Sequence, residues 1–321
     1  MTALLALITV ATWGVWIPLA QIVPGISQRS RTFYVTVGNL AFAALALLIG
    51  GGHLFFGWRT FWLPLAGGVL WTAGNFAAFR SAETIGLARA AGTWTPLNVI
   101  VAFVWGALLF GELDHFSAAR FALLAAALIL VLIGMLLIVG SQNTPAASTP
   151  ARAVQAARDA PSSKSTLARS APSISRDAVT SRTGWLWGGA AGVLWGSYFV
   201  PAQWANVPAR IANVPLAIGI FAAGSALALS RRELTRLSLQ VTTLQIAAGV
   251  LFGIGNLALL GLVSRVGTGV GFTIAQLSLL VNASIGIWVF RVPQPGSRAA
   301  RTALTGILIA GVGGCIIGIM R

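Results

Sequence analysis

Residues 13–21 read WGVWIPLAQ and residues 195–203 read WGSYFVPAQ. Trp13-Gly14 followed by Ala20-Gln21 returns as Trp195-Gly196 followed by Ala202-Gln203, at a constant offset of 182 residues. Further along, Gly74-Asn75 with Ala77 returns as Gly255-Asn256 with Ala258, and Ile85-Gly86 returns as Val266-Gly267, both at an offset of 181. A shared apolar composition gives scattered matches. Three matches in order at one spacing indicate a duplicated chain.

The duplicated material is apolar. Of the 321 residues 57% are hydrophobic and only 8% charged, with a mean hydropathy of +0.85. A soluble domain carries about 25% charged residues to keep its surface solvated. A chain at a third of that level covers a lipid-facing surface instead, and its twelve Trp suit the membrane interface. Apolar stretches of about 20 residues, enough to cross a ~30 Å hydrocarbon core, recur near 2–20, 33–51, 61–80, 86–109, 118–140, 185–204, 211–230, 241–262, 268–290 and 301–320. The runs are continuous rather than alternating at every second residue, so they predict helices and not barrel strands. The first run resembles a secretion signal in length. It lacks a basic leading region and returns as an internal segment, so it is read as a helix.

Residues 141–184 differ in kind, being rich in Ala, Ser, Pro and Arg without apolar periodicity. Such a segment cannot bury enough surface to offset its ordering entropy and reads as a disordered basic linker, with a short amphipathic helix around Ala151–Ala160 as an alternative. The expected organisation is a first five-helix repeat at 1–140, the linker at 141–184, and a second five-helix repeat at 185–321. Five is odd, so the second half enters the membrane from the opposite side. The expected fold is thus an all-α integral membrane protein of ten transmembrane helices in an inverted 5+5 repeat, an architecture that places a solute near midplane between the halves.

The net charge of +15 raises a nucleic-acid reading, but the basic residues lie singly or in pairs between apolar blocks and read as loop charges. Cytoplasmic loops collect Lys and Arg. With the N-terminus inside, that side would hold only Arg59, Arg120, Arg210, Arg265 and Arg321. The other side would hold sixteen, or ten without the linker, including Arg29, Arg31 and Arg236. Both termini are therefore expected outside and the linker in the cytoplasm, in the cell membrane.

Ionisable groups inside a bilayer are costly and usually mark function. None of the six acids, Glu83, Glu112, Asp114, Asp159, Asp177 and Glu233, falls in the middle of a predicted span. Glu83 and Glu112 sit at helix ends, either as solvated end groups or as carriers of a coupling proton. The spans hold instead neutral amides, hydroxyls and rings: Trp13, Trp16, Gln21, Asn75, Thr93, Trp94, Thr95 and Asn98 in the first half, and Trp195, Tyr198, Gln203, Asn256, Gln276, Ser278 and Asn282 in the second. Amides bond sugar hydroxyls and flat rings stack on C–H faces. Trp16, Asn75, Thr95, Asn98, Tyr198, Asn256 and Gln276 are accordingly the candidate solute-binding set, although the same groups also bond between packed helices. Pro96 is expected to interrupt the fourth helix, either at a midplane site or as a packing kink. Cys315 is alone, and His53 and His115 are too far apart to suggest a metal site. Walker, HExxH and GxSxG signatures are missing from the sequence. The reading is a carrier without catalytic residues, cofactor or nucleic-acid partner, whose solute is a sugar or, on the same fold, an exported amino acid or related metabolite. A non-transporting membrane sensor or lipid-handling protein is the third reading.

Three stretches add a resemblance: Leu70-Trp71-Thr72-Ala73-Gly74-Asn75 through Ile85-Gly86 to Phe110-Gly111-Glu112; Leu194-Trp195-Gly196-Ser197-Tyr198-Phe199-Val200-Pro201; and Gly253-Ile254-Gly255-Asn256 through Val266-Gly267 to Phe272 and Ala275-Gln276-Leu277. In these the chain resembles the glucose/ribose porter (glucose uptake protein) branch of the drug/metabolite transporter superfamily. The resemblance implies ten helices, an inverted repeat and sugar uptake without ATP. The chain departs from that family at the end of its ninth span, which reads Phe290-Arg291 where the fourth ends Phe110-Gly111-Glu112.

Overall fold

The computed structural model describes the chain except for residues 24, 52, 55, 86, 142–173, 231–233, 235 and 321, and the side chains of 87–89 and 174–181. Helices α1 Thr2–Gln21, α2 Gln28–Ile49, α3 Leu63–Ile85, α4 Leu87–Phe110 and α5 Ala118–Ser141 precede the undescribed segment. They are followed by α6 Ile174–Ser197, α7 Val200–Trp204, α8 Ala209–Ser230, α9 Leu239–Val266, α10 Thr268–Gln276, α11 Ser278–Trp288 and α12 Arg298–Ile319. Among the described residues there are no strands. Eight stretches are long and apolar enough to cross a bilayer: α1, α2, α4 from Ala90, α5, α8, α9, α10 with α11, and α12. The chain is a multi-pass membrane protein.

Four helices, α2, α5, α9 and α12, start just after a serine that caps them. The Ser27, Ser117, Ser238 and Ser297 hydroxyls accept from the backbone N–H three residues on, at 3.2, 3.3, 3.5 and 3.1 Å, satisfying a donor that the first turn leaves free. The expected spans at 61–80 and 185–204 are helical but outside the set of eight. α3 carries Thr72, Asn75, Arg80 and Glu83, and the side chains of α6 are described only from residue 182 on, too short a stretch to count as a span. α6 begins at Ile174, inside the stretch read as linker. The first residue of that stretch, Ser141, closes α5, and residues 142–173, with the alternative helix at 151–160, lie outside the described residues.

Two helix breaks differ from expectation. Pro96 does not interrupt α4, which runs on through it. The second half holds the breaks. Proline removes the N–H that would bond four residues back, and α6 ends at Ser197, four residues before Pro201. The ninth span divides at Leu277, whose N–H takes the Ile274 carbonyl at 3.1 Å in a tightened turn.

The most extensive contacts join helices from opposite sides of the undescribed segment: α1 with α9, α2 with α9 and α8, α3 with α6 and α8, α4 with α6 and α10, and α5 with α12. At two of these crossings the backbones nearly touch. A Cβ built on Gly38 or Gly249 would strike the Ile246 or Val35 carbonyl between α2 and α9. One built on Gly68 or Gly219 would strike the Leu216 or Leu65 carbonyl between α3 and α8. Gly38 pairs with Gly219, and Gly68 with Gly249, at the repeat offset of 181. Small residues of this kind let helices associate where lipid supplies no hydrophobic drive.

Candidate solute cavity

Where these crossings converge, the rings of the two halves meet. Trp13 lies against Gly255 and Trp195 against Gly74, each ring occupying the space a side chain would need. Trp71 and Phe252, themselves 181 residues apart, face each other with centroids at 4.7 Å. Trp16 meets Phe252 at 5.0 Å, Phe199 stacks on Phe272 at 4.7 Å, and Trp94 meets Trp195 edge-on at 5.6 Å. Trp58, Trp62, Trp204 and Trp288 are exposed at helix ends, the position an interfacial indole favours.

Around this ring cluster is a cavity of about 650 Å³, within the 300–1,000 Å³ typical of small-molecule sites. Trp16, Asn75, Thr95, Asn98, Tyr198 and Gln276, six of the seven candidate binding residues, line it. Asn256 does not. It sits behind the wall, fully buried, accepting a hydrogen bond from the Tyr198 hydroxyl at 3.1 Å. Asn75 donates to Thr32 Oγ1 at 3.3 Å. The Asn98 Oδ1 acceptor and the Trp13 Nε1 donor are buried with no protein partner. Buried polar atoms are nearly always bonded, so unbonded ones on a cavity wall are suited to a ligand. The tightened turn at Leu277 leaves Gln276 and Ser278 on either side of it, both on the wall. Gln21 also lines the cavity. Its counterpart Gln203 instead accepts from Thr268 Oγ1 at 2.6 Å.

The cavity extends toward one end of the bundle. Its wall takes in Gln21 at the end of α1, Gln28 and Arg31 at the start of α2, Phe79 late in α3, Val139 late in α5, and Val292 beyond α11. The opposite end is held by Glu112. That carboxylate accepts from the Thr268 and Gly269 backbone N–H groups at the start of α10, the second at 3.1 Å, where a helix end favours an anion. Gly111 makes this possible with a φ of 60°, and Arg291, 180 residues later, repeats the conformation with φ 55°. The Glu112 N–H bonds Gly106 and the Val292 N–H bonds Gly286 in the same way, at 3.0 and 2.9 Å. The turn is duplicated, but the carboxylate is not. Glu83 is exposed and paired with Arg80 at 3.3 Å.

The sequence makes Arg31 look like a loop charge, but it stands in the first turn of α2 on the cavity wall. A basic residue three positions into a helix looks like the loop before it. Only its spacing from Gln28, Thr32 and Val35, which share the wall, reveals the face it belongs to. The close-packed Gly38 and Gly219 also escaped notice, although they repeat at the offset already found.

Many apolar helices around a cavity of rings and amides make this a multi-pass membrane protein with a small-molecule-sized cavity between its helices. The chain belongs to the Sugar transport protein family, which matches residues 4–158 and 170–320. It is a transporter and not an enzyme. The glucose uptake protein GlcU of Bacillus subtilis is 22% identical over 96% of this chain and 95% of that one. A Listeria monocytogenes protein described as a candidate for sugar uptake is 23% identical over the full length of both. A protein of known crystal structure, 16% identical, superposes with a TM-score of 0.68 over 99% of this chain and 97% of that one, and so shares the fold.

Proposed function

We propose that the protein is a secondary carrier that takes up a sugar by alternating access, on ten crossings arranged as an inverted 5+5 repeat. The observation that carries this reading is the cavity, where rings and amide side chains from both halves converge in a chain of the sugar transport family. The reciprocal contacts of Trp13 with Gly255 and Trp195 with Gly74 support the repeat, because a two-fold relation maps each contact onto the other. Alternating access then amounts to one set of crossings rocking against the other around a fixed site.

The distribution of basic loops supports an orientation in the cell membrane with both termini outside and the linker in the cytoplasm. The cavity extends toward the end at which α1 finishes, so in this orientation it faces the cytoplasm, with Glu112 closing the outer end. Neither Glu83 nor Glu112 lines the cavity, which favours transport driven by the solute gradient or by an ion held on backbone carbonyls.

A thermal-shift screen of the purified protein against monosaccharides and amino acids tests the reading, since a ligand bound only by the folded state raises apparent stability. Stabilisation by a monosaccharide, followed by its uptake into proteoliposomes, is expected. Stabilisation by amino acids alone would replace this reading with that of a metabolite exporter.

A further inference from the structure

Arg31 sets the cavity apart from a site built only for neutral hydroxyls. Among the described residues of its wall, Arg31 is the one that carries a formal charge. Its Nη2 donates to the Val23 carbonyl at 3.2 Å, which pins the guanidinium in place. Its Nε and Nη1 are buried and make no hydrogen bond, and among the described residues no carboxylate pairs with it. Three physical terms then point the same way. A half-buried charge without a carboxylate partner is costly. The first turn of a helix is the positive end of its dipole, so a cation there is further disfavoured and an anion favoured. Finally, Gln28, Arg31, Thr32 and Val35 follow the i, i+3, i+4, i+7 spacing of one helix face, and all four line the cavity, so Gln28 and Thr32 can complete the bonding of an oxyanion held by Arg31.

We infer that the preferred solute is a sugar acid, a monosaccharide carrying one carboxylate, whose charge is met by Arg31 while the rings and amides hold its neutral part. This inference rests on the sugar-carrier reading. A carboxylate fits better than a phosphate, because a phosphate ester carries close to two negative charges at neutral pH and the described wall offers one positive charge.

The test is titration of the full-length protein in nanodiscs with glucose, glucuronate, glucuronic acid methyl ester and glucose 6-phosphate, read by calorimetry. A charge-assisted hydrogen bond is worth at least about a factor of ten. Glucuronate is therefore expected to bind about tenfold more tightly than glucose or the neutral ester. Arg31→Gln should bring glucuronate and glucose within about twofold of each other, and Arg31→Lys should restore part of the preference. If Arg31→Gln does not fold, glucuronate against its methyl ester on the unaltered protein decides alone. Equal binding of glucose and glucuronate overturns the inference and leaves the sugar reading standing. Tighter binding of glucose 6-phosphate than of glucuronate overturns the carboxylate. Binding of none of the four removes the sugar reading itself.

Discussion

The Trp195 indole donates to the Trp71 carbonyl at 3.2 Å, bonding α6 to α3. Trp13, its counterpart in the first half, occupies the matching position against Gly255, yet its Nε1 is buried without a partner on the cavity wall. Two equivalent rings thus hold unequal assignments. Trp195→Phe should lower stability by about 0.5–1.5 kcal/mol, the net worth of one hydrogen bond. Trp13→Phe should leave the melting temperature unchanged and weaken solute affinity several-fold. Thermal melts and binding on both variants check this, and the reverse pattern would assign the structural role to Trp13.

Asn256 is expected to act on solute through Tyr198, from whose hydroxyl it accepts a hydrogen bond at 3.1 Å. Asn256→Ala leaves the buried Tyr198 hydroxyl without its acceptor, a cost of about 1–3 kcal/mol, and should weaken apparent affinity roughly tenfold to a hundredfold. Tyr198→Phe combined with Asn256→Ala should bind no worse than Asn256→Ala alone. Gln276→Ala should weaken affinity through a lost direct contact at normal expression, while Asn143→Ala should change nothing. Uniform loss of protein with unchanged affinity in the remainder would make these amides helix–helix bonds and nothing more.

The near-touching crossings set a limit on side-chain size. Gly249→Ala and Gly219→Ala push a methyl into the Val35 and Leu65 carbonyls, and overpacking of this kind costs about 1–3 kcal/mol. Gly189→Ala, with no atom within 4 Å of its Cβ, should be neutral or slightly stabilising, because alanine restricts the unfolded chain. Melting temperatures in a common detergent distinguish them.

Glu112 should behave as a latch rather than a proton carrier. In Glu112→Gln the amide nitrogen cannot accept from Thr268 or Gly269, so the end of the bundle closed by α10 should loosen. A cysteine placed at Leu113 in a Cys315→Ser background should then alkylate several-fold faster, with concentrative uptake slowed but present. Abolished concentrative uptake with exchange intact would make Glu112 the coupling residue.

Much of the architecture could be read from the residues because it depends on one repeated quantity, an apolar run as long as the bilayer is thick. Polar and aromatic residues within the spans likewise pointed to the cavity, whose wall holds six of the seven candidates. What escaped depends on tertiary context. Pro18, Pro96 and Pro215 lie inside unbroken helices, whereas Pro201 follows a break. Local sequence does not separate them, since neighbouring helices decide whether the freed carbonyl finds a partner. Gly38 and Gly219 were hidden among 37 glycines until the backbones they admit were seen.

Because α1 and α2 find their main partner in α9, which begins more than two hundred residues after α1, the order of synthesis runs against the order of packing. At roughly 5–20 residues per second, the ribosome needs about ten seconds or more to deliver that partner. The early helices spend this interval in the bilayer with Gly38 and the buried Asn39 facing lipid or whatever the insertion machinery provides. Nascent first halves of this protein should therefore be its most vulnerable state, and a pause in translation before α9 the moment at which quality control would find them.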